Sequence, residues 1–321
     1  MPWLHRFATF VAASTVLLIA AGGMVTSTGS GLAVPDWPNT YGWFMFSFPM
    51  DKWVGGIFYE HGHRLIASTV GFLTIVLAVW VWRVEPRRWV RRLAAVALAA
   101  VVFQGLLGGL TVLLLLPAPV SIGHAGLAQV FFCLTLSLAV FTSPGWRAAA
   151  DPVDDPRLRR LASVTVALVY LQILLGATMR HTGAGLAIPD FPLAFGHVIP
   201  PLWSAPIAVH FAHRAGAVIV AGAILATALH VRRHHRGRRG LPGPAALLVL
   251  LVLVQATLGA LVVLSRLQPV LNTAHVVNGA LVLGTALVLA LRAFRPLFDL
   301  TPARGDARRL VPAGSPLGAR S

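Results

Sequence analysis

Charge is what this 321-residue sequence has least of. Asp, Glu, Lys and Arg make up 11% of it, where an ordinary globular chain carries about 25%. So little polar surface cannot cover a water-soluble body of this size, and with 57% hydrophobic residues the bilayer is the natural solvent. Cysteine is almost missing as well. Cys133 is the only one and lies in an apolar run, which excludes an intrachain disulfide and a cysteine-based zinc site and leaves it a small core residue. No His-Glu-x-x-His spacing occurs, so a zinc hydrolase of that kind is excluded too.

The charges present are 26 basic against 10 acidic, a formal +16 that in a soluble protein would point to nucleic acid. Their placement argues otherwise. Five Lys/Arg fall in 83–92, four in 147–160, five in 232–239 and six from Arg292 onward, and Arg6 brings these to 21 of the 26. This is the positive-inside bias of a membrane protein, with both termini and the basic loops in the cytoplasm. An even number of spans follows, and nucleic acid is not expected as a partner.

Uncharged apolar runs predict spans at about 7–26, 62–82, 93–115, 122–143, 161–179, 207–231, 245–265 and 272–292. Pro117 and Pro119 divide a charge-free stretch into two helices with a tight turn. The first run, behind His5 and Arg6, has the look of a signal peptide. An internal repeat argues for keeping it.

TGSGLAVPDWPNTYG at 28–42 and TGAGLAIPDFPLAFG at 182–196 agree at nine of fifteen positions, at an offset of 154. HRLIAS at 63–68 faces HRAGAV at 213–218, QGLLGGLTVL at 104–113 faces QATLGALVVL at 255–264, and His124 faces His275, at offsets of 150 and 151. The first run thus pairs with 161–179. The fold expected is an all-α membrane protein of eight transmembrane helices, arranged as two tandem four-helix bundles related as parallel repeats. The bundles would be 1–146 and 147–300, with a basic cytoplasmic tail at 301–321. Two segments on the far side, about 27–60 and 180–206, exceed the usual helix connection and carry Pro35-Asp36-Trp37-Pro38 and Pro189-Asp190-Phe191-Pro192. Structured turns that hold adjacent helices and direct ligand contacts are both open readings of them.

Of the ten carboxylates, Glu60 alone is expected to be buried at a membrane span. On a helix Glu60, His63 and Arg64 share one face. The second copy reads His210-Phe211-Ala212-His213-Arg214. Helices two and four of each copy start on the far side, so His63 and His124, and again His213 and His275, would lie at matched depth on different helices. Neutral imidazoles so placed suit axial ligation of a haem iron, and Arg64 or Arg214, at the polar boundary, suits a propionate. Singly, each histidine reads as an interhelical hydrogen-bonding group or proton relay; the duplication favours two haem sites. His61, His181, His197, His210, His230, His234 and His235 lack such support. Gln104, Gln172 and Gln255, each followed four residues later by glycine, read as close helix packing. The carboxylate that the second copy lacks places catalysis in the first half, with a relay haem in the second.

Glu60-x-x-His63-Arg64, His124, His213-Arg214, His275 and the duplicated Gly-Leu-Ala-Val/Ile-Pro-Asp-Trp/Phe-Pro together make the chain resemble the haem A synthase family over all eight helices. The resemblance implies oxidation of a methyl group of haem O to a formyl, by successive hydroxylations, to give haem A. It implies His63 and His124 facing the substrate haem, an essential Glu60, and His213 and His275 ligating haem b as prosthetic group. Expected partners are haem O, the haem O synthase that makes it, membrane lipid and a second copy of the chain. The location implied is the cytoplasmic membrane of a prokaryote. Many members carry a cysteine pair in the loop after the first helix; residues 27–60 have none. A bis-histidine cytochrome that only moves electrons, and more remotely a transporter, are the alternatives.

Overall fold

The computed structural model describes residues 2–148, 154–238 and 240–299. The basic tail expected at 301–321 lies outside them. The helices in chain order are α1 (Pro2–Ser27), α2 (Gly55–Val84), α3 (Arg88–Leu113), α4 (Ala118–Thr142), the short α5 (Pro144–Ala148), α6 (Pro156–His181), α7 (Ala205–His234), α8 (Pro242–Leu264) and α9 (Pro269–Asp299). All but α5 are long and apolar enough to cross a membrane, and the described residues contain no strand. The protein is an all-helical, multi-pass membrane protein. Several helices run past the apolar stretches that announced them: α2 starts at Gly55 rather than near 62. Backbone hydrogen bonding continues through polar end turns, whereas hydropathy marks only the part that suits lipid.

Caps fix two of the starts. The Asp155 carboxylate accepts the Leu158 N–H at 3.0 Å, and the Ser204 hydroxyl accepts the Ile207 N–H at 3.4 Å. Pro156 and Pro206 follow them in the first turn, where a missing N–H costs nothing.

In packing order, α1, α2, α3 and α4 each touch the next and α4 returns to α1. Helices α6, α7, α8 and α9 close in the same way, and the two rings meet through α1 with α9, α4 with α6, and α4 with α9. Leu77, Val81, Val90 and Leu138 fill one core, and Leu158, Ile224, Leu248 and Leu289 the other. Ile19, Phe132 and Ala280 join them. A Cβ at Gly284 would lie 2.9 Å from the Phe132 ring, so glycine there lets α9 approach α4. Phe103 and Leu106 on α3 and Leu250 and Leu253 on α8 point outward, as lipid-facing side chains must.

At the end of the bundle that carries the basic residues, Glu85 is buried, contrary to the expectation that Glu60 would be alone. Arg87 donates to it at 2.7 and 3.0 Å, and Arg147 of α5 at 2.8 Å. Burial pushes this carboxyl up. The Arg87 hydrogen bonds and the Arg87 and Arg147 charges outweigh that and hold it below its ordinary value. Its partners come from beyond the span and from a helix 62 residues away, which no local pattern announces.

Candidate functional site

Each of the four singled-out histidines rests on a helical glycine. A Cβ added to Gly22 of α1 would fall 3.0 Å from His63 Cε1, and one on Gly108 of α3 would fall 3.0 Å from His124 Cε1. In the other half, Gly176 of α6 would put it 2.9 Å from His213 Cε1, and Gly259 of α8 would put it 3.2 Å from His275 Cε1. Carbon contacts prefer about 3.5–4.0 Å, so only a hydrogen leaves these rings their room. The glycines obey the offsets of the repeat, 154 for Gly22 and Gly176 as in the Pro-Asp segments, and 151 for Gly108 and Gly259 as in His124 and His275.

Depth follows from helix starts. His63 lies eight residues on from Gly55 and His213 eight on from Ala205; His124 lies six on from Ala118 and His275 six on from Pro269. At 1.5 Å per residue these are about 12 Å and about 9 Å along their helices. The His213 and His275 rings stand 6.4 Å apart between centroids, at 64°. Two metal–imidazole bonds of about 2.0 Å, plus the distance from each ring centre to its nitrogen, span roughly 6 Å. His63 and His124 also lie within electrostatic reach of one another. Among the described residues the buried Nδ1 atoms of His63, His124 and His275 have no hydrogen-bond partner, and all four histidines are half-buried. Glycine cradles, unpartnered ring nitrogens and the 6.4 Å separation fit an iron porphyrin held by imidazoles.

The glutamines read as packing residues turn out to hold the histidines. Gln104 Nε2 donates to the His124 carbonyl at 3.0 Å and Gln255 Nε2 to the His275 carbonyl at 3.1 Å. Gln172 Nε2 donates to the His213 carbonyl at 2.7 Å and lies 3.1 Å from His213 Nδ1. The glycine four residues after each glutamine is the one beneath that histidine. The spacing was visible in the sequence; what it served was not. His63 has no such partner, because Leu18 occupies the position equivalent to Gln172.

Glu60 is buried, its Oε2 accepting the Val34 N–H at 2.8 Å and its Oε1 pairing with Arg64 at 2.7 Å. His210 stands in its place in the other half, with Nδ1 3.3 Å from the Ile188 N–H. Arg64 reaches the carbonyls of Val34, Asp36 and Asn39, and Arg214 those of Ile188, Asp190 and Leu193. Both arginines therefore strap a Pro-Asp loop to its helix. Asp36 accepts from the Tyr41 and Gly42 N–H groups, and Asp190 from those of Phe195 and Gly196, at 2.7–2.9 Å. Gly42 and Gly196 both take φ +77°, which the tight turn requires. For Asp36, burial pushes up, but these hydrogen bonds and Arg64 prevail and hold the carboxyl low; for Asp190 the hydrogen bonds act first and Arg214 adds to them. Trp37 lies over Gly109 of α3, where an added Cβ would clash with its ring. The first-half loop thus sits directly beside the Gly108 cradle.

The remaining histidines go elsewhere. His230 and His235 contact Asp155 at 2.7 and 2.8 Å at the basic end, and His61 packs against Phe48 and Trp53 with Thr40 3.1 Å from its Nδ1. His181 lies within electrostatic reach of His124.

A family model described as COX15-CtaA, cytochrome oxidase assembly protein, matches residues 45–288. The match takes in Glu60 and all four cradled histidines. The chain belongs to this family. Among relatives, it is similar to the heme A synthase of Symbiobacterium thermophilum, 34% identical over 282 residues, which cover 84% of this chain and 89% of that protein. It is 29% identical to the heme A synthase of Geobacillus kaustophilus over 301 residues, 91% and 92% of the two chains. The heme A synthase of Shouchella clausii is 29% identical over 266 residues, 82% and 87%.

Proposed function

We propose that the chain is a haem A synthase, a membrane oxidoreductase that oxidises a methyl group of haem O to a formyl by successive hydroxylations. The observation that carries this reading is the pair of repeat-equivalent histidine cradles, each imidazole seated on a glycine of a neighbouring helix. His213 and His275 would hold haem b, and His63 and His124 would face the substrate haem. When bound, haem b supplies one-electron chemistry to the site. The division of labour is then 1–146 for substrate and 147–300 for haem b.

The chain's own residues bind, orient and shield. The Arg64 and Arg214 straps hold the two loops across the bundle end nearest the histidines, which keeps water from the reacting edge. Glu60 is the catalytic residue: it anchors Val34 and at the same time keeps carboxylate oxygens beside the substrate half, where a proton can be taken up. His210 closes the other loop without that charge. Four of Arg64's five N–H donors are engaged, against three of Arg214's. Of the two, Arg214 is therefore the better placed to add a haem propionate to its contacts. The positive-inside bias orients the basic end toward the cytoplasm.

The test is expression with a haem O source, followed by chromatography of the extracted haems. A formyl porphyrin is expected from the intact chain. Glu60→Ala should retain haem b and yield none. Unchanged haem O from the intact chain overturns the function, and haem A from Glu60→Ala overturns the role of the carboxylate.

A further inference from the structure

Arg180 is a cation within the bundle that neither cradle uses. It lies on α6 one helical turn beyond Gly176, on the face that carries the His213 cradle. Its Nη2 donates to the Gly23 carbonyl at 2.9 Å and to the Ser27 hydroxyl at 2.6 Å, both on α1. Ser27 continues to Thr273 of α9 at 3.0 Å, and Thr273 stands two residues before His275. The guanidinium also lies within electrostatic reach of the His275 imidazole. It thus sits where α1, α6 and α9 converge, toward the end that carries the long loops. Among the described residues, only its Nη2 finds a partner.

The repeat sharpens the point. The position equivalent to Arg180 in the first half is Thr26, whose hydroxyl folds back on the Gly22 carbonyl at 3.1 Å. Helix packing at this position therefore does not require a cation. A cation with donors to spare, a turn from one imidazole and electrostatically coupled to the other, matches a carboxylate carried by whatever those imidazoles hold.

We propose that Arg180 is a positioning residue for the haem of the second half, receiving a propionate carboxylate on its unengaged N–H donors while Gly23 and Ser27 fix its other nitrogen. The inference rests on the haem reading of His213 and His275. It gives that haem a contact to the first half of the chain, through α1.

A fixed positive charge beside the porphyrin favours the reduced iron, so removing it must lower the midpoint potential. In redox titrations of the haem-loaded chain, Arg180→Gln should shift the equilibrium about tenfold toward oxidised haem, which is about 59 mV for one electron. Arg180→Lys should recover most of that shift. Ser27→Ala cuts one of the two α1 contacts but keeps the charge and the Gly23 contact, and should shift the potential by much less than Arg180→Gln does. Chain produced under haem limitation and then loaded gives the second readout. Wild type should prefer haem b over its dimethyl ester by about tenfold, and Arg180→Gln should lose most of that preference, keeping only what Arg214 contributes.

An unchanged potential and an unchanged acid-to-ester ratio in Arg180→Gln, with the imidazole-ligated spectrum intact, overturn the proposal and leave the haem reading standing. An equal shift in Ser27→Ala assigns the effect to helix bracing and also overturns it. A haem spectrum that survives His275→Ala overturns the haem reading, and the proposal with it.

Discussion

Gly176→Ala puts the cradle geometry to a direct test. The new Cβ would stand 2.9 Å from His213 Cε1, 3.4 Å from Nδ1 and 3.7 Å from Nε2. A carbon pair settles at about 3.5 Å or more, so the ring must retreat by roughly 0.6 Å. Gln172 resists that retreat, because it holds the His213 carbonyl at 2.7 Å. Overpacking of this size costs about 1–3 kcal/mol. Charged against haem b binding, that is about 5- to 150-fold in affinity. The assay is haem b content by pyridine haemochrome per mole of purified chain, with a haem titration of protein made under haem limitation. Gly222→Ala on α7 is the control: nothing lies within 4 Å of its added Cβ, and helix propensity favours alanine by about 1 kcal/mol. Wild-type haem affinity in Gly176→Ala, or an equal loss in Gly222→Ala, would refute the cradle argument.

Three further outcomes are expected. Glu60→His copies the second half's arrangement and should keep haem b while abolishing haem A in chromatograms; haem A at the wild-type level would show that the carboxylate is dispensable. Glu85→Gln leaves Arg87 and Arg147 without their anion and should cost about 1–3 kcal/mol, below the full buried-pair penalty because those side chains are 27% and 34% exposed. Since Glu85's folded value is depressed, wild-type stability from this group is complete above the ordinary carboxylate range and is lost as pH falls through the folded value. Thermal melts of wild type and Glu85→Gln should therefore converge on acidification, and a constant gap would refute the linkage. Asp155→Ala removes the α6 cap and the shared partner of His230 and His235, and should lower stability by about 1–2 kcal/mol with haem content unchanged; a loss of haem would tie this basic-end clasp to the site.

The eight helices were legible because lipid-spanning runs announce themselves by length and lack of charge. The repeat equivalence of the four glycine-seated histidines was legible because a duplication prints each of them twice. What stayed hidden depends on partners far apart in sequence. Glu85 is buried because Arg147 arrives from α5, and hydropathy around residue 85 carries no sign of that. The Gln-x-x-x-Gly spacing was plain, yet its use required knowing that the glycine faces a histidine on the next helix. Arg64 and Arg214 have the sequence context of propionate binders. Their observed contacts are with loop carbonyls 21–30 residues away, a pairing that only the folded turn creates.

The differences between the halves run in one direction. In the second, His213 has Gln172, while Gln255 beside His275 is itself held by Asn278 at 2.7 Å. In the first, Leu18 and Leu127 stand where Gln172 and Asn278 would be. A ring already fixed by hydrogen bonds gives up less freedom when it binds, so if the second pair holds a haem, as proposed, it is the better preorganised of the two. The His63 ring retains more freedom, which weakens binding and speeds release. The proposed function, in which one haem stays and the other enters unmodified and leaves oxidised, would use such a difference. The single buried carboxylate of the two equivalent positions, Glu60, falls in the half proposed to take the substrate, where a reaction could use it.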